Sequence, residues 1–525
     1  VRKESKSILE PSCGDGQFIE ATIDRLSILR VNKKVIPQKI IGVELNKNEA
    51  RKSSERFKNF SDVGNNIKNG DFFSQCHEWL KTGITYDSIL GNPPFIRYQD
   101  FPEKYRNPAL DIMRKAGLKP NKLMNTWIPF VVGSTLLLKS GGRIGFVLPA
   151  ELFQVNYAAE VRKFLSDSYS KVFIVTFKKL VFEGVQQEVV LFLGEKNGRK
   201  SHGINIIEVE SINELKDLDV ENEHHLGTLK IFVSSTEKWT QYFLEEKDIE
   251  LIQKLRDNLS IPLMKNYLSV DVGVVTGQNK YFVLNQEQIK TRRLEKYSQN
   301  IFSKSIQLKG VIATKEDFKQ SVKGGYANFL LNLPDIEYEN LPKSIRSYID
   351  EGERESIHEG YKCRIRKHWW VVPTVWVPDA FMLRQVNNYP KIILNNAQAT
   401  STDTIHRVRF NKNVNNELVA TSFLNSLTFA FSEITGRSYG GGVLTFEPSE
   451  AERLPLPLKG AEKLDIKKID VLVRKGEIEK VLDMTDRVLL QDGLNLSEKD
   501  ISSLRRIWKK LRDRRLYRKR SYDLS

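Results

Sequence analysis

The chain has 525 residues, 40% of them hydrophobic and 28% charged, with a formal net charge of +16. That length suits about three domains and that composition a soluble globular protein with a sizeable core. Three dispersed cysteines, Cys13, Cys76 and Cys363, exclude a disulfide framework and a CxxC metal-ligand pair, and the longest nearly apolar run, 128–138, falls far short of the ~20 residues of a membrane span.

No signal peptide is visible, and the cysteine usage fits a reducing cytoplasm. The first 195 residues alternate strands and helices. A short strand at 7–9 leads into a helix over 17–29. A strand at 39–43 and a polar helix over 46–60 follow, then a strand at 86–90. A helix over 127–139 is closed by Ser140-Gly141-Gly142, and strands follow at 143–148, 172–177 and 189–193. Such alternation implies an α/β unit built on a mainly parallel sheet with helices on both faces. After a polar break at 197–200 the texture changes to short strand-like runs, among them 204–209 and 281–284, with helical patches over 247–259 and 418–433. The Leu-Pro-Leu-Pro-Leu run at 454–458 reads as a linker, and the chain is charged and helical from Ala461 onward. The expected division is 1–200, 201–460 and 461–525.

The charge is concentrated at the end. Between 501 and 520 ten Lys or Arg stand against one Asp, a net of +9, and the other 505 residues share +7. Ile501, Leu504, Trp508 and Leu511 recur at helical spacing, so one face of that segment can pack. Arg505, Arg506, Lys509, Arg512, Arg515 and Lys519 lie on the remaining circumference, where they suit contact with phosphates. A solvated charged face is the plain alternative.

The chemistry-bearing residues cluster early. Glu10-Pro11-Ser12-Cys13-Gly14-Asp15-Gly16 lies between a strand and a helix, where two glycines let the backbone turn sharply and approach a ligand. Alone it reads equally as a tight turn. Glu44 ends the second strand, where a carboxylate can accept from ribose hydroxyls. Position 19 is Ile, so the third glycine of the dinucleotide fingerprint is missing. Asp71 and Phe72 pair a carboxylate with a ring, types that suit an adenine. Asn92-Pro93-Pro94-Phe95 follows the strand at 86–90. Two prolines fix the backbone and remove two donors, leaving the Asn92 amide oxygen and the Pro93 carbonyl as acceptors that can hold both hydrogens of an amino group. Phe95 offers a stacking face. A rigid turn is the simpler reading of Pro-Pro.

As a set, these motifs resemble the class I S-adenosylmethionine-dependent methyltransferases. Asn-Pro-Pro-Phe resembles the catalytic motif of amino-methylating DNA enzymes, and the motif order resembles the gamma class of N6-adenine DNA methyltransferases. The resemblance implies a Rossmann-like catalytic sheet. It implies that Glu10, Cys13, Gly14 and Gly16 line the S-adenosylmethionine site, that Glu44 holds the ribose, that Asp71 and Phe72 hold the cofactor's adenine, and that Phe130 walls the pocket. Phe182, in Val181-Phe182-Glu183-Gly184-Val185, is the expected partner of Phe95 in stacking on a flipped base. The run 273–282, Gly-Val-Val-Thr-Gly-Gln-Asn-Lys-Tyr-Phe, resembles the opening of a Taq-like specificity domain of mixed α+β structure, and 437–448 resembles its close. The similarity covers roughly 1–460. Family members carry a further motif before the first glycine turn, so the chain reads as N-terminally short.

Lys362, Arg364, Arg366, Lys367 and His368 lead into Trp369-Trp370, a basic and aromatic run suited to DNA. Core tryptophans ending a solvated strand are the alternative. The implied partner is double-stranded DNA, with the adenine flipped out of the stack and a restriction or defence subunit as a further associate. No Pro-Cys dipeptide supplies the nucleophile of a cytosine-C5 enzyme. Cytosine-N4 methylation, protein-glutamine methylation and a non-catalytic DNA-binding module are the rivals. Asn at the head of the catalytic motif leans toward adenine, and the long region after Gly194 leans away from protein-glutamine methylation.

Overall fold

Apolar runs bounded by turns, Ile8–Glu10, Ile40–Glu44, Ile67–Asn69, Tyr86–Gly91, Leu138–Pro149, Lys171–Phe177, Val189–Glu195, Gly203–Val209 and Leu229–Ile231, form strands β1 to β9 of one sheet in the computed structural model. The structure describes residues 1–523 apart from 59–60, 123, 180, 182–187, 198–202, 219–228, 232–236, 259 and 440. The chain divides into two compact units, one built mainly from 1–246 and the other from 247–438 and 442–516.

In the first unit the strand order is β3-β2-β1-β4-β5-β7-β6-β8-β9. β3, β2, β1, β4 and β5 run parallel, and β7 enters antiparallel between β5 and β6. This is the Rossmann-like methyltransferase sheet with an extension. The chain moves outward from β1 to β3 and returns at β4, so β1 and β4 are neighbours at the point where winding reverses. Ligands bind at such a crevice, outside the carboxyl ends of the strands.

Helix Gln17–Ile28 buries Ile19, Ile23 and Leu26 in a core with Ile8, Ile36 and Ile40. Helix Lys47–Arg56 starts where the Asn46 side chain accepts from the backbone of Asn48 and Glu49. Helix Trp127–Leu137 is buried on nearly every side, as a helix apolar all round must be.

Two expectations change here. Ser140-Gly141-Gly142 does not close a helix, because β5 already begins at Leu138. The glycines fall where the β4–β5 register shifts between Tyr86 and Ser88, and Gly141 has φ +76°. An extra loop of strand is absorbed there as a bulge. The sheet also does not end near residue 195. β8 pairs parallel to β6 from Phe173↔Asn205 to Phe177↔Val209, and β9 pairs with β8. The open edge of β6 is filled by later chain, so the unit runs to 246 rather than 200.

The second unit is mixed α+β. A five-stranded sheet orders Leu268–Asp271, Ile405–Phe410, Ala380–Leu383, Ile392–Asn395 and Ile312–Ala313. A four-stranded sheet is built from Val283–Leu284, Phe329–Leu331, Ser298–Phe302 and Thr400–Ser401. Tyr281 and Phe282 belong to the short helix Asn279–Phe282, so only the second half of 281–284 is strand.

The Leu-Pro-Leu-Pro-Leu run is not a linker. Leu454 and Leu456 are fully buried, the Met264 N–H donates to the Leu454 carbonyl at 2.9 Å, the Leu456 N–H to Pro262 at 2.8 Å, and the Thr428 hydroxyl to Pro455 at 2.8 Å. Alternating Leu and Pro serve here as an extended strap whose leucines face inward. The tail is not separate either. The terminal helix Glu498–Asp523 buries Leu504, Trp508 and Leu511 of the expected apolar face together with Ile507, while Ile501 is only half-buried. Trp508 packs on Phe429 with ring centroids 5.1 Å apart. Among the described residues no helix is long and apolar enough to cross a membrane.

Candidate active site

The glycine turn follows β1 directly. Gly14 and Gly16 have φ +53° and +93°, a region that side chains rarely adopt. A Cβ on Gly14 would meet nothing within 4 Å, so that turn faces open space, whereas one on Gly16 would lie 2.6 Å from Phe57 and Ser53. Gly16 is therefore a packing glycine and Gly14 an approach glycine. The Cys13 N–H donates to Val43 at 2.9 Å and its thiol is buried, which pushes its titration up and keeps it protonated.

Glu44 ties the turn to the second strand. One carboxylate oxygen accepts from the Gly14 N–H at 2.8 Å and the other from the Asn46 N–H at 2.7 Å. Its remaining lone pairs are open to a ligand. Glu10 is 3% exposed, and its Oε2 has no hydrogen-bond partner. Burial, then repulsion from Glu44 and Asp15, raises its titration well above the usual carboxylate range. A buried acid with an orphan oxygen is a costly arrangement in an empty fold.

Asp71 caps helix Phe72–Thr82, accepting from the Ser74 backbone at 2.8 Å and hydroxyl at 2.7 Å. Phe72 is 2% exposed and stacks on Phe130 with centroids 5.0 Å apart at 12°, inside a cluster with Phe73. The ring is occupied in packing and one carboxylate oxygen in capping.

Asn92-Pro93-Pro94-Phe95 leaves the end of β4. The Ser12 hydroxyl donates to the Asn92 carbonyl at 3.4 Å, and a Cβ on Gly91 would sit 3.5 Å from Glu10 and Pro11 side-chain atoms. The glycine turn and the proline loop are thus in contact. Thr126, absent from the sequence reading, staples the loop. Its hydroxyl donates to Pro94 at 2.5 Å and accepts from the Ile96 N–H at 2.9 Å, while its own N–H donates to Ile96 at 2.9 Å. Among the described residues nothing bonds to the Asn92 side chain or the Pro93 carbonyl. Asn92 is exposed and Phe95 half-buried. The loop therefore holds two acceptors rigid and unspent. Phe182 lies outside the described residues.

A cavity of about 1240 Å³ reaches Asn92 along the sheet, lined by Leu90, Ile144, Phe146, Phe173 and Leu191 among others. Gln17 and Phe18, directly after the glycine turn, also line it, whereas Glu10, Gly14, Glu44 and Asp71 do not.

In the second unit the basic run is a short helix, Tyr361–Arg364, and a turn, not a strand. Lys362, Arg364 and Lys367 are exposed. Arg366 points inward, donating to the Val275 and Thr276 carbonyls at 3.2 and 2.7 Å. His368 is bonded to Asp335 at 2.7 Å and stacked on the buried Trp370. The tail cations also have internal partners: Arg505 with Asp483 and Asp486 at 2.6 and 2.8 Å, Arg506 with Asp248 at 2.5 Å, Lys509 with Glu479 at 2.9 Å; Arg515 does not face outward at all but is buried against Glu433 at 2.8 Å. The unit's own carboxylates neutralise this rail, which sequence spacing alone presents as free.

The fold is a methyltransferase-type sheet with the glycine turn and the proline loop side by side at its switch point. Residues 17–182 match the family described as Eco57I restriction-modification methylase, and 236–490 match the C-terminal domain of Type II methyltransferase M.Eco57I. The Type II methyltransferase M.AccI of Acinetobacter calcoaceticus is 25% identical over 86% of this chain and 81% of its own length. M.HindII of Haemophilus influenzae is 28% identical over 54% of this chain, and the chain spans 52% of that relative. The restriction-modification enzyme MmeI, solved in complex with DNA, superposes with a TM-score of 0.61 at 13% identity, covering 97% of this chain and 73% of that one. The chain belongs to the Type II restriction-modification DNA methyltransferase family and carries the gamma-class order of motifs.

Proposed function

We propose that the chain binds S-adenosylmethionine and double-stranded DNA and promotes methylation of adenine N6. The observation that carries this reading is the unspent acceptor pair, Asn92 amide and Pro93 carbonyl, stapled by Thr126 in contact with the glycine turn. An amine delocalised into a purine ring is a poor nucleophile. Two fixed acceptors on its hydrogens localise the lone pair as the amine pyramidalises, and such groups act best when preorganised for charge that develops during reaction. Phe95 supplies a face for the flipped base.

The residues of the crevice fit the cofactor. Its positive charge answers the orphan oxygen of Glu10, Gly14 leaves room for close approach, and Glu44 keeps lone pairs for the ribose hydroxyls. When bound, S-adenosylmethionine supplies the electrophilic methyl group. Glu44→Ala removes both the ribose acceptor and the brace on Gly14, so it is expected to weaken cofactor binding by about tenfold or more, the scale of a lost hydrogen bond to a charged group. Calorimetry reads this directly, and unchanged affinity moves the ribose site elsewhere.

The DNA substrate brings with it a cytoplasmic location, and association with a restriction or defence subunit fits the family. Nucleoside mass spectrometry of DNA from a methylation-free host expressing the chain separates the outcomes. N6-methyladenine supports the reading, N4-methylcytosine shifts the target base, and no modified base favours a DNA-binding module.

A further inference from the structure

The helix Tyr361–Arg364 and the turn after it are the least expected surface in the second unit. Tyr361 is 65% exposed and Ile365 60% exposed. Four residues apart on one helical turn, they share a face. Exposed apolar side chains are common singly, but these two sit on a rigid base. Cys363 between them is fully buried. Arg366 bonds the carbonyls of Val275, Thr276 and Trp369, and its guanidinium lies 5.5 Å from the centre of the Phe282 ring.

Gly277, with φ +83°, has the Cβ of Lys362 only 2.6 Å from where its own Cβ would stand. A side chain at Gly277 would collide with Lys362, so the glycine leaves room for the 361–366 turn to pack on the 273–282 segment. Val275, 40% exposed, adds a third apolar side chain from the segment beneath. Lys362 and Arg364 flank the pair, both exposed, and among the described residues neither has a carboxylate partner. This separates them from Arg505, Arg506 and Lys509, whose charges are answered within the unit.

We propose that the 361–366 turn is a DNA-contacting wedge, in which Tyr361 and Ile365 pack against unstacked bases while Lys362 and Arg364 hold the adjacent phosphates. The proposal rests on the reading that the chain binds DNA and flips a base. Flipping leaves a gap in the stack that costs a few kcal/mol to open, and apolar side chains inserted at a base step are a known way to hold such an opening. Cations without carboxylate partners beside an apolar pair suit a polyanion better than a protein partner, whose interfaces are depleted in lysine; the Lys362 ammonium, 5.7 Å from the centre of the Tyr361 ring, must swing off that ring to reach a phosphate.

Two double variants of the full chain test this against labelled duplexes of randomised sequence, with affinity measured across a salt series. Tyr361→Ala with Ile365→Ala is expected to lower affinity on the order of tenfold, the scale of lost base stacking, with no change in the slope of log affinity on log salt. Lys362→Ala with Arg364→Ala is expected to flatten that slope by nearly two, since each phosphate contact contributes about 0.9. All four side chains are exposed, so thermal melting should be unaltered, and Tyr361→Phe with Ile365→Leu should bind as wild type. Wild-type affinity in the apolar variant overturns the proposal and leaves the patch to a protein partner. A slope change in that variant also overturns it. A wild-type chain that retains no duplex overturns both the wedge and the reading beneath it.

Discussion

Asn92→Ala is expected to lower methyl transfer by at least about 10²- to 10³-fold, the cost of removing one preorganised charge-stabilising group from an active site, while cofactor affinity is unchanged. The geometry separates these effects. The Asn92 side chain is exposed and has no internal hydrogen bond among the described residues, so its loss strands no partner. The ties that hold the loop run through its backbone carbonyl to Ser12 and through Pro94 and Ile96 to Thr126, and all survive the substitution. Activity should therefore fall through kcat rather than through folding or cofactor binding, the signature of an interaction made in the transition state. Single-turnover methylation with calorimetry of cofactor binding on the same preparation checks this. Near wild-type turnover would remove Asn92 from the chemistry, and parallel loss of cofactor binding would make it a pocket residue instead.

The largest stability effect should come from a residue far along the chain. Arg515 and Glu433 are buried, and the guanidinium forms a fork on the carboxylate at 2.8 and 2.9 Å. Arg515 also donates to the Gly442 carbonyl at 2.6 Å. It joins the terminal helix to helix Ser426–Thr435 and to the loop that closes the specificity-type domain. Arg515→Ala leaves Glu433 buried without its counter-charge, a change that costs about 3–5 kcal/mol. Burial raises the Glu433 titration, and loss of the cation raises it further. In the variant the folded state then binds more protons than the unfolded one, so the destabilisation is greatest at neutral pH and eases as pH falls toward the carboxylate range. Hydrogen exchange across 426–435 and 498–516 should show protection falling by roughly 10²- to 10⁴-fold at neutral pH, following the same free energy. Wild-type protection in the variant would mean that the pair carries none of this packing.

Six strands of the first unit, β1, β2, β4, β5, β6 and β7, were legible in the sequence because strand and helix periods are local, whereas the short, polar β3 at Ile67–Asn69 was not. The strands at 39–43, 86–90 and 172–177, the glycine turn after β1 and the proline loop after β4 all stand where alternation and motif spacing put them. What was not legible depends on distant partners. Thr126 staples Pro94 across 32 residues and Arg515 meets Glu433 across 82, and no local pattern announces either. The Leu-Pro-Leu-Pro-Leu strap has a linker's composition and becomes core only because Pro262, Met264 and Thr428 supply its hydrogen bonds. The tail's arginines read as a free rail since their carboxylates, Asp248, Glu479, Asp483 and Asp486, come from other helices. Phe72 has the composition of a ligand stack and is spent on Phe130.

If the Asn92 and Pro93 acceptors hold an adenine amine for methyl transfer, the modified base and its dependence on Asn92 must both appear in DNA. Mapping of modified bases by sequencing, in DNA from a methylation-free host expressing either the intact chain or its Asn92→Ala variant, tests it most directly. N6-methyladenine confined to one sequence context and lost in the variant is the predicted result. N4-methylcytosine in its place, or an unmodified genome from a chain that binds S-adenosylmethionine, would contradict it.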